Sequence, residues 1–154
     1  MSVSNNTYTN PVAKPIFAIN QGLSFLAPIA DLLIRCWAAW VFFRSGLTKI
    51  QSIDSTIMLF QYEYNVPLLE AETAAYIGTW SELILPVFLA VGLAGRYAAI
   101  ALFIFNIVAV ISYPDLNPAG VRQHQVWGIM LLITICHGPG KLSLDYLIEK
   151  FFRH

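Results

Sequence analysis

The chain has 154 residues, 57% of them hydrophobic and only 12% charged, with a formal net charge of zero. Soluble domains carry about 25% charged residues, so this composition excludes an ordinary soluble domain, and the absence of any basic run excludes a nucleic-acid binder. A mean hydropathy of +0.62 points to an integral membrane protein.

Residues 1–22 are polar and proline-containing and lack the charged-then-apolar order of a signal peptide. They are expected to form a flexible tail. Four apolar stretches then approach the roughly 20 residues that cross a bilayer. The first covers about Leu26–Leu47, entered just after Pro28. Between it and the second lies the long connection Lys49–Glu72. Its aromatic run Phe60-Gln-Tyr-Glu-Tyr64 and Pro67 predict an ordered cap, with a short helix near Ile53–Tyr62. The second stretch covers about Thr73–Leu93, with Pro86 expected to kink it. A tight turn at Gly95-Arg96 makes the second and third stretches an antiparallel hairpin. The third covers about Tyr97–Tyr113. The segment Ser112–Gly120 reads as a loop, because Pro114, Asn117-Pro118 and Gly120 are turn formers. The fourth stretch covers about Val126–His137, lengthened by Gln123–Gln125. His137-Gly-Pro-Gly140 ends it. Leu142–Phe152 reads as a short amphipathic helix in the membrane interface, capped by Ser143.

The expected fold is therefore an all-α membrane protein. It is a four-transmembrane-helix bundle over residues 23–140, with a short extracytoplasmic cap and a C-terminal interfacial segment over 141–154. Basic residues set the orientation. Lys14, Arg96, Lys141, Lys150 and Arg153 share one side; Lys49, Arg122 and Arg44 share the other. Both termini are then cytoplasmic, and the other face carries the acids Asp54, Glu63, Glu70, Glu72 and Asp115.

Arg35, Glu82 and Asn106 fall near the middles of three different spans. A charge at the bilayer centre costs roughly 2.5–3.5 kcal/mol on insertion scales, so each needs a partner or a role. A guanidinium could bridge a carboxylate and an amide there. The trio then forms a buried polar centre, either as a lock that sets helix register or as part of a ligand or proton site. On the first span Asp31, Arg35, Ala38, Phe42, Gly46 and Lys49 share a face at spacings of three and four. Its small residues would let a neighbouring helix approach closely.

Nearer the outer end, Arg44, Lys49, Glu63, Tyr113 and His124 converge in depth as a candidate ligand-binding set, with Tyr62 and Tyr64 at the same end. Cations, a titratable imidazole and aromatic rings suit a headgroup that is aromatic and takes protons, as a quinone is. Two bland readings remain open. Arg44 points about 180° from Arg35 on an ideal helix and can snorkel to lipid phosphate; His124 can be a polar residue at a helix start. His124 and His137 are about 20 Å apart along one helix and cannot share a metal within one chain. Cys36 and Cys136 read as small packing residues. No flavin, haem or iron–sulfur motif is evident, no metal-spaced cluster is present, and no catalytic residue can be named.

Several segments carry a family resemblance. They are Leu33-Ile-Arg35, Phe42-Phe-Arg-Ser-Gly46-Leu-Thr-Lys49, Gly78-Thr-Trp-Ser-Glu82-Leu-Ile-Leu-Pro86 and Gly92-Leu-Ala-Gly-Arg96, followed by Asn106, His124 and Trp127-Gly128. In this order they resemble the DoxX family of small bacterial inner-membrane proteins, over roughly residues 23–148. The resemblance implies four transmembrane helices and a redox context. Some relatives are subunits of a thiosulfate:quinone oxidoreductase, and another group is encoded beside machinery for copper-binding modified peptides. The segments Phe60–Leu69 and His137–Gly140 look like that last group. The resemblance supplies no proven catalytic residue.

Together these features predict a multi-pass inner-membrane protein. It would bind a quinone-like lipophilic ligand and couple an extracytoplasmic partner or substrate to the quinone pool. The competing expectation is a non-enzymatic membrane partner, or a transporter-like component, for copper or modified-peptide handling. Beyond the lipid bilayer, a membrane or periplasmic protein partner is expected, nucleic acid is not, and an oligomer is compatible with the sequence.

Overall fold

The computed structural model describes residues 13–153, and every element among them is helical. In chain order these are α1 (Ala13–Gln51), α2 (Ile53–Tyr62), α3 (Ala71–Val91), α4 (Gly95–Ser112), α5 (Pro118–His137) and α6 (Leu144–Phe152). The residues Ile19–Gln51 of α1, together with α3 and α4, are long and apolar enough to cross a membrane. α5 is as long, but its first turns carry Arg122, Gln123, His124 and Gln125. The short α2 covers the stretch expected to be helical.

Two boundaries differ from expectation. Helix α1 begins at Ala13, so residues 13–22 are helix rather than tail; residues 1–12 lie outside the described residues. Pro15 falls in the first turn, where the missing N–H has no intrahelical partner to lose. Pro28 removes a single interior bond without ending the helix. Likewise α5 starts at Pro118, inside the segment expected to be loop. Asn117 caps it by accepting the Gly120 N–H at 2.8 Å, and Pro118 takes the first helical position. There the turn formers start a helix rather than delay one.

α1, α3, α4 and α5 pack side by side in cyclic order, with α1 against α3, α3 against α4, α4 against α5 and α5 against α1. The core between them is Ala38, Ala39, Phe42, Leu89, Ala98, Ala99, Leu102 and Leu131. Its many alanines let the backbones come close, which is how helices associate where lipid removes the hydrophobic drive. Gly46 shows how close. A Cβ there would lie 3.0 Å from the backbone carbon and the Cβ of Glu82 on α3. The expected α1 face is the packed one: Arg35, Ala38, Phe42 and Gly46 are all buried.

The two ends of the bundle are closed differently. At one end, the roof, α2 packs on α3. Phe60 stacks on Tyr64 with centroids 4.7 Å apart, and Tyr64 stacks on Tyr113 at 4.9 Å. The Asn65 N–H donates to the Ser112 carbonyl at 2.8 Å, which ties this connection to the end of α4. At the other end, the floor, the segment after α5 folds under the bundle. Gly92 ends α3 in the left-handed region at φ 68°. Asp145 of α6 then accepts the Ala94 and Gly95 N–H groups at 2.7 and 2.8 Å, satisfying donors at the start of α4 from another helix. Ser143 caps α6 as expected.

Candidate functional site

Lys49, near the end of α1, reaches across to Glu82 of α3. Its ammonium donates to both carboxylate oxygens at 2.7 Å. The pair is well enclosed, with side-chain exposures of 16% and 6%. The Gly46 contact places the two helices close enough for this reach.

On the opposite side of the bundle, α4 and α5 are clasped by two hydrogen bonds. Asn106 Nδ2 donates to the His124 carbonyl at 2.9 Å, and His124 Nδ1 meets Asn106 Oδ1 at 2.7 Å. The first bond fixes which way the amide points, so Oδ1 is an acceptor for the ring. Nδ1 must then carry the proton, and in a neutral imidazole Nε2 is left as an acceptor. Trp127 packs edge-on against both His124 and Phe42, at 4.8 and 6.0 Å.

Between these two walls, beneath the aromatic roof, lies a cavity of about 270 Å³. Lys49 and Glu82 line one side; Ser112, His124 and Trp127 line the other; Phe60 and Tyr64 lie toward the roof. An apolar cavity of about 150 Å³ accepts benzene, so this one has room for a substituted six-membered ring. Its wall is mainly apolar with a few polar groups placed around it, which is the usual make-up of a small-molecule site.

The structure rearranges the residues singled out from sequence. Of the expected ligand set, Lys49 and His124 line the cavity. Tyr113 and Glu63 do not: the Tyr113 hydroxyl donates to the Glu63 carboxylate at 3.1 Å, on an exposed edge of the roof. Arg44 is exposed on the other face of α1. The expected centre of Arg35, Glu82 and Asn106 does not assemble. All three are buried, but each has its own partner. Arg35 Nη2 donates to the Leu142 carbonyl at 2.7 Å and Nη1 donates to the Pro139 carbonyl, so this guanidinium closes the floor. Arg35 and Lys49 are about 21 Å apart along α1 at helical rise. The difference is one of depth. With α1 continuing at both ends, Arg35 falls close to the floor rather than halfway down, beside the end of α3 at Gly92. Glu82, Ser112, Trp127 and Phe60 belong to the cavity and lie outside the expected converging set, whereas Tyr64 is in both. For Asn106 and His124 a signal existed. Asn106 lies six residues before the end of α4 and His124 six after the start of α5, so an antiparallel hairpin sets them level.

Cys36 and Cys136 are both unpaired and exposed on the bundle surface. Among the described residues, no three His, Cys, Asp or Glu side chains gather as a metal-binding group.

Comparison with known proteins agrees with the helical membrane architecture. No solved structure matches the chain. An uncharacterized protein of Haemophilus influenzae is 33% identical over 132 residues, which covers 80% of this chain and 86% of the relative. Residues 30–114, containing Arg35, Lys49, Glu82 and Asn106, match the family model for DoxX. The chain belongs to the DoxX family of membrane proteins.

Proposed function

We propose that the cavity beneath the roof binds the ring of a quinone-like lipophilic carrier, and that the protein couples an extracytoplasmic partner or substrate to the quinone pool. The observation that carries this reading is the arrangement of donors and acceptors around a ring-sized space. Lys49 uses two of its three N–H donors on Glu82, which leaves one for a ring oxygen. His124 Nε2 can accept a proton from a hydroxyl or return one to an oxygen. Reduction of a quinone to a quinol takes up two electrons and two protons. The electrons would come from the partner or its substrate. Glu82 and His124 are the groups placed to relay protons.

In this reading α1, α3, α4 and α5 all span the inner membrane, and α6 lies in the interface with Leu147, Phe151 and Phe152 exposed. The floor carries Arg96, Lys141, Lys150 and Arg153, which favours a cytoplasmic floor and cytoplasmic termini. The roof with α2 then faces outward. Its acidic residues, Asp54, Glu63, Glu70 and Glu72, would meet the extracytoplasmic partner.

Extraction tests the reading. The chain is purified in mild detergent from quinone-containing membranes and extracted with organic solvent. Bound quinone near one per chain is expected, well above the amount carried by an unrelated membrane protein prepared alongside. An extract no richer than that control would favour a non-enzymatic partner in copper or modified-peptide handling.

A further inference from the structure

We infer that Ser112 is a ligand-contacting residue, and that the cavity is shaped for a six-membered ring with oxygens at opposite positions. This rests on the quinone reading and specifies the oxygen pattern of the occupant.

The buried hydroxyls of the described residues give the comparison. Thr56 donates to the Lys49 carbonyl at 3.0 Å, Thr79 to Ala75 at 2.7 Å, Thr134 to Met130 at 3.3 Å and Ser143 to Gly140 at 2.7 Å. Ser112 is 1% exposed, and its Oγ alone among them has no partner. A serine in a helix can bond back to the carbonyl four residues earlier, as Thr79 does. Ser112 does not. Ser112 is instead among the residues around the cavity, with its Oγ buried and unpaired. A buried hydroxyl without a partner is costly, and a ligand that supplies the partner removes the cost.

The positions of the polar groups give the oxygen pattern. Lys49 and Glu82 belong to the α1–α3 half of the ring of helices, while Ser112 and His124 belong to the α4–α5 half. A ring lying between the halves meets an ammonium donor on one side. On the other it meets a hydroxyl that donates or accepts, on the wall that also carries the His124 imidazole. A carbonyl facing Ser112 can accept its O–H. After reduction, the oxygen of the new hydroxyl can still accept from Ser112. A ring with a single oxygen leaves one wall unpaired.

The test is calorimetric titration of the full chain in detergent under anaerobic conditions. The probes are tetramethylhydroquinone and tetramethylphenol, which differ by one hydroxyl. The native chain should prefer the hydroquinone by about tenfold, the worth of one good hydrogen bond in a closed site. Ser112→Ala should erase most of that preference. Ser112→Thr, which keeps the hydroxyl, should retain it. If the alanine variant melts early, Ser112→Cys, with its weak donor, serves as the second variant and should also lose preference. Binding of both rings with an undiminished preference in these variants overturns the role of Ser112 while leaving the quinone reading intact. Binding of neither ring by the native chain overturns both.

Discussion

Lys49 holds both carboxylate oxygens of Glu82 at 2.7 Å, one turn from the tight contact of Gly46 on α1 with Glu82 on α3. In an apolar bundle neither charge has another charged partner nearby, so the two are one unit. Removing one member of such a pair typically costs about 3–5 kcal/mol, because the other is stranded. Replacing both with apolar residues of similar size is often neutral. Lys49→Met and Glu82→Leu should therefore each lower the melting temperature in detergent more than the double variant does. Additive losses would show that the pair is not coupled.

The clasp between Asn106 and His124 does two things: it joins α4 to α5 and it sets the His124 tautomer. Asn106→Leu should leave the helices packed but free the ring, weakening quinone binding about tenfold, the scale of one buried hydrogen bond. His124→Ala should weaken it at least as much. His137→Ala, at the floor end of the same helix and exposed, should have no effect. Equal losses from His124→Ala and His137→Ala in a binding titration would remove His124 from the site.

The roof should open in alkali. Burial raises the Tyr64 phenol above its ordinary range, helped by the nearby charges of Glu82, Tyr113 and Glu63. The hydrogen bond to Glu63 raises the Tyr113 phenol. In both cases the fold favours the neutral phenol. Their contribution is therefore fully present below the unfolded tyrosine value of about 10, and is lost as pH rises through the folded values. Near-ultraviolet circular dichroism of the stacked tyrosines should stay constant up to about pH 10 and fall above it. The double variant Tyr64→Phe/Tyr113→Phe should show no such fall. A transition starting well below pH 9, or one that survives in the double variant, would contradict this.

Orientation has its own test. Reporter fusions after Arg96 and at His154 should both report cytoplasm, and a fusion near Glu70 should report the opposite side. A cytoplasmic signal at Glu70 would invert the assignment of roof and floor.

Periodicity made the packed face of α1 legible, because Arg35, Ala38, Phe42 and Gly46 recur at helical spacing. The aromatic density of Phe60–Tyr64 marked an ordered roof. Depth was harder to read. A hydrophobic run fixes where a helix is apolar, not where its neighbours begin and end, so the spans alone set Arg35 level with Glu82. The backbone of Lys49 lies near the end of α1, but its long flexible side chain reaches inward to Glu82. Ser112 had no signal at all. A serine at a helix end beside a proline-rich turn looks like capping chemistry, and only its missing partner in the folded chain sets it apart.

The central claim is that a ring occupies the space between Lys49–Glu82 and Ser112–His124. Photoaffinity labelling with an azido-quinone, followed by peptide mapping, tests it most directly. The account predicts labelling concentrated in the roof segment around Phe60–Tyr64 and in α4–α5 around Phe105–Trp127, suppressed by excess unlabelled quinone. Label spread over the outer surface of the bundle, at residues such as Trp40, Val87 and Cys136, and indifferent to competitor, would contradict it.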